Sequence, residues 1–340
     1  MSNKLMKVLI VPDKFKGTVT AREVAESIAE AVDNSSQELI IQPLADGGEG
    51  TLEVFGGGNK LSVVQGPLGE PVEAEWRLEG TSAVIEMSKA SGLHLIQHKV
   101  FKNPIDASTF GTGELIRTAL ERGAKDVLIG VGGSATVDGG LGALQAMRPL
   151  KRYKSLEINV ACDVQTGFLE CAKVFGPQKG ATPKQIKFLE NRLQRLAQIF
   201  LQERNIDVTT IPMAGAAGGL AGGLATVGAN LQSGFEAVSE RVDLVNLIED
   251  ADLVITGEGK VDDSSFDGKV VGGVLALADQ MKTPAIVIAG SIDPNLTMEV
   301  PAYSLKEDVG EEKALSDTKR SITKTSRKAL VNWSVNPSKG

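Results

Sequence analysis

Residues 7–41 read KVLIVPDKFKGTVTAREVAESIAEAVDNSSQELII, and this stretch decides the fold class. Lys7 to Val11 is a short β-branched run that predicts a buried strand, ended by Pro12. Thr20 to Val32 follows with Val24, Ala25, Ile28 and Ala31 at helical spacing. Thr20 with Glu23 three residues on is a capping-box signature that sets the helix start. Leu39 to Ile41 is a second strand. Strand, helix and strand in that order predict a right-handed parallel βαβ unit.

The texture changes downstream. Leu61 to Gln65, Val72 to Leu78 and Ala83 to Met87 are β-rich pieces separated only by Gly-Pro-Leu-Gly and Glu-Gly-Thr-Ser segments. Connections this short cannot make parallel crossovers, so they predict an antiparallel meander. Alternation then resumes: helix Gly113 to Arg122, strand Asp126 to Val131, helix Gly139 to Met147, strand Glu157 to Cys162. Gln185 to Gln202 carries Ile186, Leu189, Leu193, Leu196 and Phe200 on one stripe, a core-packing helix. Strand Asp252 to Thr256, helix Ser265 to Met281 and strand Ala285 to Ala289 return to the first style, and Gly310 to Trp333 reads as a terminal helix. The expectation is an α/β protein of two domains. Residues 1–60 and 245–340 form a discontinuous parallel-sheet domain, and 61–244 an inserted α/β domain with the meander.

Composition narrows the function. The chain has 340 residues, more than one core usually holds. Its net charge of −7 lacks the basic footprint of a nucleic-acid or anionic-membrane binder. At 4%, aromatics are too few for base-stacking platforms. Cys162 and Cys171 cannot supply a disulfide scaffold. The apolar run Val8 to Val11 after Lys4 and Lys7 is too short for a signal peptide or membrane span, so a cytoplasmic location is expected. His94 and His98 stand four apart without further ligands of matching type nearby, a poor basis for zinc.

Glycine is in excess, 38 residues, and gathers after the expected strands beside carboxylates, lysines and hydroxyls. Such segments are Pro12–Gly17, Ala45–Thr51, Gly132–Gly140, Asp163 and Gly257–Asp262. Ligands of open parallel sheets bind beyond the carboxyl ends of the strands, so a shared cleft is the economical reading. Glycines let backbone N–H groups approach an anion, lysines supply positive charge, and carboxylates suit Mg²⁺. Phosphoryl transfer needs little more than positioning and charge neutralisation. No Walker A sequence occurs. Gly47, Gly48 and Gly50 could equally serve a tight turn, and Gly215–Gly223 close helix packing. Lys179, in a loop marked by Pro177, could face phosphate or solvent. Gly130, Gly132 and Ala135 fit the loose dinucleotide fingerprint, which keeps a nicotinamide-dependent oxidoreductase open as an alternative.

Ten blocks in order carry a resemblance. They are PDKFKG (12–17), ADGGEGT (45–51), GPLGEP (66–71), SGLHL (91–95), FGTGELI (110–116), GVGGSATVDGG (130–140), ACDV (161–164), VFGPQKGAT (174–182), AGAAGGL (214–220) and TGEGKVD (256–262). With them the chain resembles the bacterial glycerate kinase family of glycerate and glyoxylate utilisation. The resemblance implies ATP- and Mg²⁺-dependent phosphorylation of D-glycerate to 2- or 3-phosphoglycerate. It also implies a flavodoxin-like domain joined to a restriction-endonuclease-like α/β domain. The chain departs from the family's pattern in short connections at 148–156 and 165–167, in Val137 and in Ser264. A non-catalytic binding protein of the same fold is a further alternative.

On the kinase reading, the candidates for catalytic roles are Asp46 or Asp138 as proton acceptor and Lys16 as charge neutraliser. Asp13, Lys14, Gly47, Gly48, Glu49, Gly132, Gly133, Ser134, Lys179, Gly257 and Lys260 are candidates for holding substrate or phosphate. Asp163 and Glu258 are candidates for the Mg²⁺ shell. The expected partner is small-molecule glycerate, without nucleic acid or membrane, and homo-oligomerisation stays open.

Overall fold

The capping box forms in the computed structural model, which describes residues 6–32, 37–97 and 104–335. The Thr20 side chain accepts from Glu23 N at 3.3 Å, and Glu23 Oε2 accepts from Thr20 N at 2.9 Å. These bonds satisfy orphan donors at the start of helix Ala21–Ala29, whose Val24, Ala25 and Ile28 face are buried. The helix links strands β1 (Met6–Ile10) and β2 (Gln37–Ile41), which pair in parallel from Met6↔Gln37 to Ile10↔Ile41.

The chain divides into two compact units, one of Met1–Asp46 with Val238–Gly340, the other Gly47–Ala237. Its crossing points lie ahead of the boundaries read near 60 and 245. The reason is local: Gly47 and Thr51 pack against Gly130, at the end of a strand of the second unit.

The second unit holds β3 (Lys60–Gln65), β4 (Pro71–Glu79), β5 (Ser82–Glu86), β6 (Asp126–Gly130), β7 (Glu157–Cys162) and β8 (Asn230–Ser233), side by side in chain order. The meander β3–β4–β5 is antiparallel, as its short connections require; β5 to β8 are parallel. Buried Trp76, Ile85, Leu115, Val127 and Ile129 centre one core. The stripe of helix Pro183–Arg204 packs Leu189, Leu193, Leu196 and Phe200 around Phe168 in another.

The first unit completes its sheet with β9 (Leu253–Val261), β10 (Ala285–Ile292) and β11 (Ala302–Ser304), in the all-parallel order β11-β10-β9-β1-β2. Val8, Ile10, Ile255, Ile286 and Ile288 pack on Ile28 and Ile322. An α/β protein with one parallel and one mixed sheet is what the sequence pattern implies. Among the described residues no helix is long and apolar enough to cross a membrane.

Three local expectations change. Gly257–Lys260 is no loop: β9 runs on to Val261, paired with β10 through Val261↔Ile292. Gly257 sits there because any Cβ would strike the Ile288 carbonyl, so this glycine marks a close strand approach and not a turn. The terminal helix is broken at Asp317 into Glu311–Ser316 and Thr318–Val335. The small-residue segment at 215–223 packs closely as expected, but Ala217, Gly218 and Gly219 are left-handed within it.

Thr20→Ala removes the acceptor for Glu23 N and should cost about 1 kcal/mol. The check is a urea melt followed by far-UV circular dichroism, with a lower midpoint and unchanged slope expected.

Candidate functional site

In the first unit the strand pairing continues past the strand ends. Asp13 N donates to Gly257 O at 2.8 Å, and Leu44 N to Pro12 O at 2.9 Å. Buried Thr256 donates its hydroxyl to Val11 O at 2.9 Å. These ties fix the segments that follow β1 and β2 beside β9. A Cβ on Gly259 would stand 3.2 Å from Lys16 N, so Lys16 also leaves the backbone over β9.

The side chains gathered here are mostly acidic. Asp13 is 6% exposed, and its Oδ1 accepts from Lys14 N at 2.7 Å. Lys14 Nζ lies 3.7 Å from Asp46 Oδ1. Burial pushes the Asp13 carboxyl up to about 7; Lys14 opposes the shift, while Asp46 and Glu258 add to it. Burial likewise raises Glu258, against a hydrogen bond from Ser265 and the charge of Lys269. Among the described residues, Glu258 Oε1 is buried with no hydrogen-bond partner. Lys16 is exposed. Lys260 is exposed and ion-paired with Asp262 at 2.8 Å, which accounts for its charge locally.

The second unit brings other candidates together at the carboxyl ends of β6 and β7. Gly132 N donates to Gly47 O at 3.3 Å. A Cβ on Gly132 would lie 2.5 Å from Gly48 Cα and 3.4 Å from Asp163 Oδ2, so the two glycine segments and Asp163 adjoin. Gly47 has φ +82°, and a Cβ there would fall 2.6 Å from Ala161 O. Both glycines are demanded by backbone approach, beyond any need for a turn. Gly133 follows at φ +72°, while Glu49 and Asp163 are exposed.

Lys179 and Asp138 have other partners than solvent. Lys179 is 2% exposed and donates to Ser134 Oγ and Thr136 O, each at 2.7 Å. Burial lowers its ammonium to about 8, with Cys171, Asp138 and Asp163 opposing. It ties down the 132–136 segment from beneath. Asp138 Oδ2 accepts from Thr109 N and Thr109 Oγ1 at 2.8 Å and from Gly142 N at 3.2 Å; Oδ1 accepts from Gly140 N at 3.0 Å. A carboxylate so saturated is a good loop anchor. The Cys162 and Cys171 thiols are pushed up to about 12 by burial, which leaves them unreactive.

Sequence reading passed over Glu86 and Arg192. Arg192 donates to Ile105 O at 2.7 Å and to Val137 O, bracing the same loop. No spacing signal could have picked it from a long amphipathic helix. His94 is exposed, and His98 lies outside the described residues. The dinucleotide fingerprint at Gly130, Gly132 and Ala135 lacks its helix: the chain runs through a loop until helix Leu141–Ala146.

The family model described as "Glycerate kinase family" matches residues 8–149 and 147–334. The chain belongs to the glycerate kinase family. It is 41% identical over 327 residues to a glycerate kinase of Halalkalibacterium halodurans, covering 84% of this chain and 85% of the relative. It is 39% identical to a glycerate 2-kinase of Escherichia coli (strain K12), covering 84% and 86%. A crystal structure of a glycerate kinase 2 candidate from Salmonella typhimurium LT2 superposes with TM-score 0.85 at 35% identity, covering 98% of this chain and 100% of that one.

The raised Asp13 has a stability consequence. The folded chain holds this proton up to about 7, whereas an unfolded aspartate releases it near 3.8. Between those values the native state binds more protons, so this group's contribution to stability falls as pH rises. Asp13→Asn removes that dependence. The variant should therefore gain in melting temperature over wild type between pH 5 and pH 8, read by paired thermal melts.

Proposed function

We propose that the chain is an ATP-dependent glycerate kinase that phosphorylates D-glycerate to a phosphoglycerate. The observation that carries this reading is the family match across both stretches of the chain. A cluster of buried Asp13 with half-buried Lys14 and Asp46 at the carboxyl ends of the first unit's parallel strands supports it. The substrate hydroxyl oxygen attacks the γ-phosphorus of ATP, the bond to the β–γ bridging oxygen breaks, and ADP leaves. The hydroxyl proton passes to a carboxylate.

Asp13 suits that acceptor role better than Asp138. Its carboxyl, raised to about 7, is poised near neutral pH, whereas the oxygens of Asp138 are engaged by Thr109, Gly140 and Gly142. Asp46 holds Lys14, and Lys14 with exposed Lys16 supplies positive charge for the glycerate carboxylate or the phosphates. Gly47, Gly48, Gly132 and Gly133 offer backbone to the phosphates, with Ser134 held in place by Lys179. Gly257 and Lys260 are weaker candidates for phosphate: one is a strand residue paired with Ile288, the other is exposed and paired with Asp262.

Mg²⁺ fits the donor chemistry. Glu258 Oε1 is a buried acidic oxygen without a hydrogen-bond partner among the described residues, which a hard cation would compensate. Among the described residues no three His, Cys, Asp or Glu side chains gather as a metal cage. Mg²⁺ is commonly held by one or two carboxylates plus phosphate and water. When bound, Mg²⁺ neutralises phosphate charge. The same reading puts the protein in the cytoplasm, where ATP is held and the free thiols Cys162 and Cys171 stay reduced.

A coupled ADP-release assay with D-glycerate decides the matter, and a ³¹P spectrum of the product assigns the hydroxyl. Turnover should require both substrates. Its kcat/KM should climb with pH to a plateau above about 7, the ionised form of Asp13 being the acceptor. Asp13→Asn should lose roughly 100-fold or more. Binding of ATP without product would instead mark a non-catalytic relative.

A further inference from the structure

Glu86 ends β5 and is 2% exposed, yet no part of the catalytic scheme uses it. Its Oε1 accepts from Gly50 N and from Ser88 Oγ, each at 3.2 Å, and its Oε2 accepts from Leu52 N at 3.2 Å. It thus occupies, from inside the protein, the backbone donors at the far end of the 47–52 segment. These donors lie at and beside the short turn Thr51–Val54. The carboxylate engages both of them. Substrate anions are left with the near end, Gly47 to Glu49.

The same stretch braces the neighbouring glycine segment. Glu86 pairs with Gly130, and Met87 N donates to Gly130 O at 2.9 Å. Leu93 N donates to Gly133 O at 2.8 Å, and Ala135 N to Ser91 O at 2.9 Å. Residues 86–93 therefore bond to both the 50–52 and the 130–135 segments, and Glu86 is the charged side chain among those bonds.

We infer that Glu86 is a positioning residue of the kinase: an internal anion that docks on the backbone of residues 50–52 and sets the 47–49 segment for phosphate or glycerate. The inference rests on the kinase reading above. Glu86 transfers no proton and touches no reacting atom in this role. Removing its charge frees the donors it holds and loosens a segment whose placement the reaction requires.

Glu86→Gln keeps the volume but replaces one acceptor oxygen by an NH₂ group that repels a backbone N–H. Two readouts are taken on the full chain. Amide hydrogen exchange should accelerate in 47–52 while the core strands stay at wild-type rates. The kcat/KM for D-glycerate and ATP should fall about tenfold or more, with the plateau of its pH profile still beginning at wild-type pH because the proton acceptor is untouched. Unchanged exchange in 47–52, or wild-type kcat/KM in the folded variant, overturns the inference. If Glu86→Gln does not fold, Ser88→Ala, which removes a single donor to Glu86, is read the same way and should show a severalfold effect. A wild-type chain without turnover defeats the kinase reading and this role with it; turnover with a silent Glu86→Gln defeats only the role of Glu86.

Discussion

Backbone passes over backbone without a side chain between them where residues 47–48 meet the ends of β6 and β7, and the placement of the second unit's 47–49 and 132–136 segments depends on that contact. Gly132 donates to Gly47 O at 3.3 Å, and a Cβ on Gly47 would fall 2.6 Å from Ala161 O. Such an approach admits only glycine. It brings two segments far apart in sequence to one place, with Asp163 beside them. The approach also explains why the chain enters the second unit at Gly47, well before the meander begins.

Charge burial follows a consistent division. Asp138, Lys179 and Glu86 are buried with near-complete sets of hydrogen-bond partners and act as anchors for the loops they hold. Asp13 and Glu258 are the exceptions. One has its carboxyl raised to about 7, and the other keeps a buried oxygen without a partner. Burial without full compensation disfavours the charged form of a carboxyl, which is why Asp13 and Glu258 are raised. The distinction separates acids saturated by partners from acids that are not more sharply than their position in glycine-rich motifs does.

Period and punctuation in the chain carried the architecture. The Thr20–Glu23 capping box, the βαβ order and the short meander turns each have local causes, and each appears in the structure. The glycine-rich segments were legible as places where chemistry could gather, but not the part each residue plays. Asp138 reads as a candidate proton acceptor and Lys179 as a group facing phosphate or solvent because nothing local shows that Thr109 and Ser134, tens of residues away, meet them. Glu86 reads as an ordinary strand end for the same reason. Gly257 reads as a phosphate-binding glycine after a strand because a glycine that makes room for a neighbouring strand looks, in sequence, like one that opens its backbone to a ligand.

Residue order alone thus determined the α/β class, the parallel and antiparallel pairings and the likeness to a kinase family, since these follow from short-range periodicity and from motifs kept in order. Tertiary structure decided which acids are saturated, which lysine is solvated and which glycines are obligatory. Those properties arise from burial and from partners distant along the chain, and neither is encoded in any local stretch.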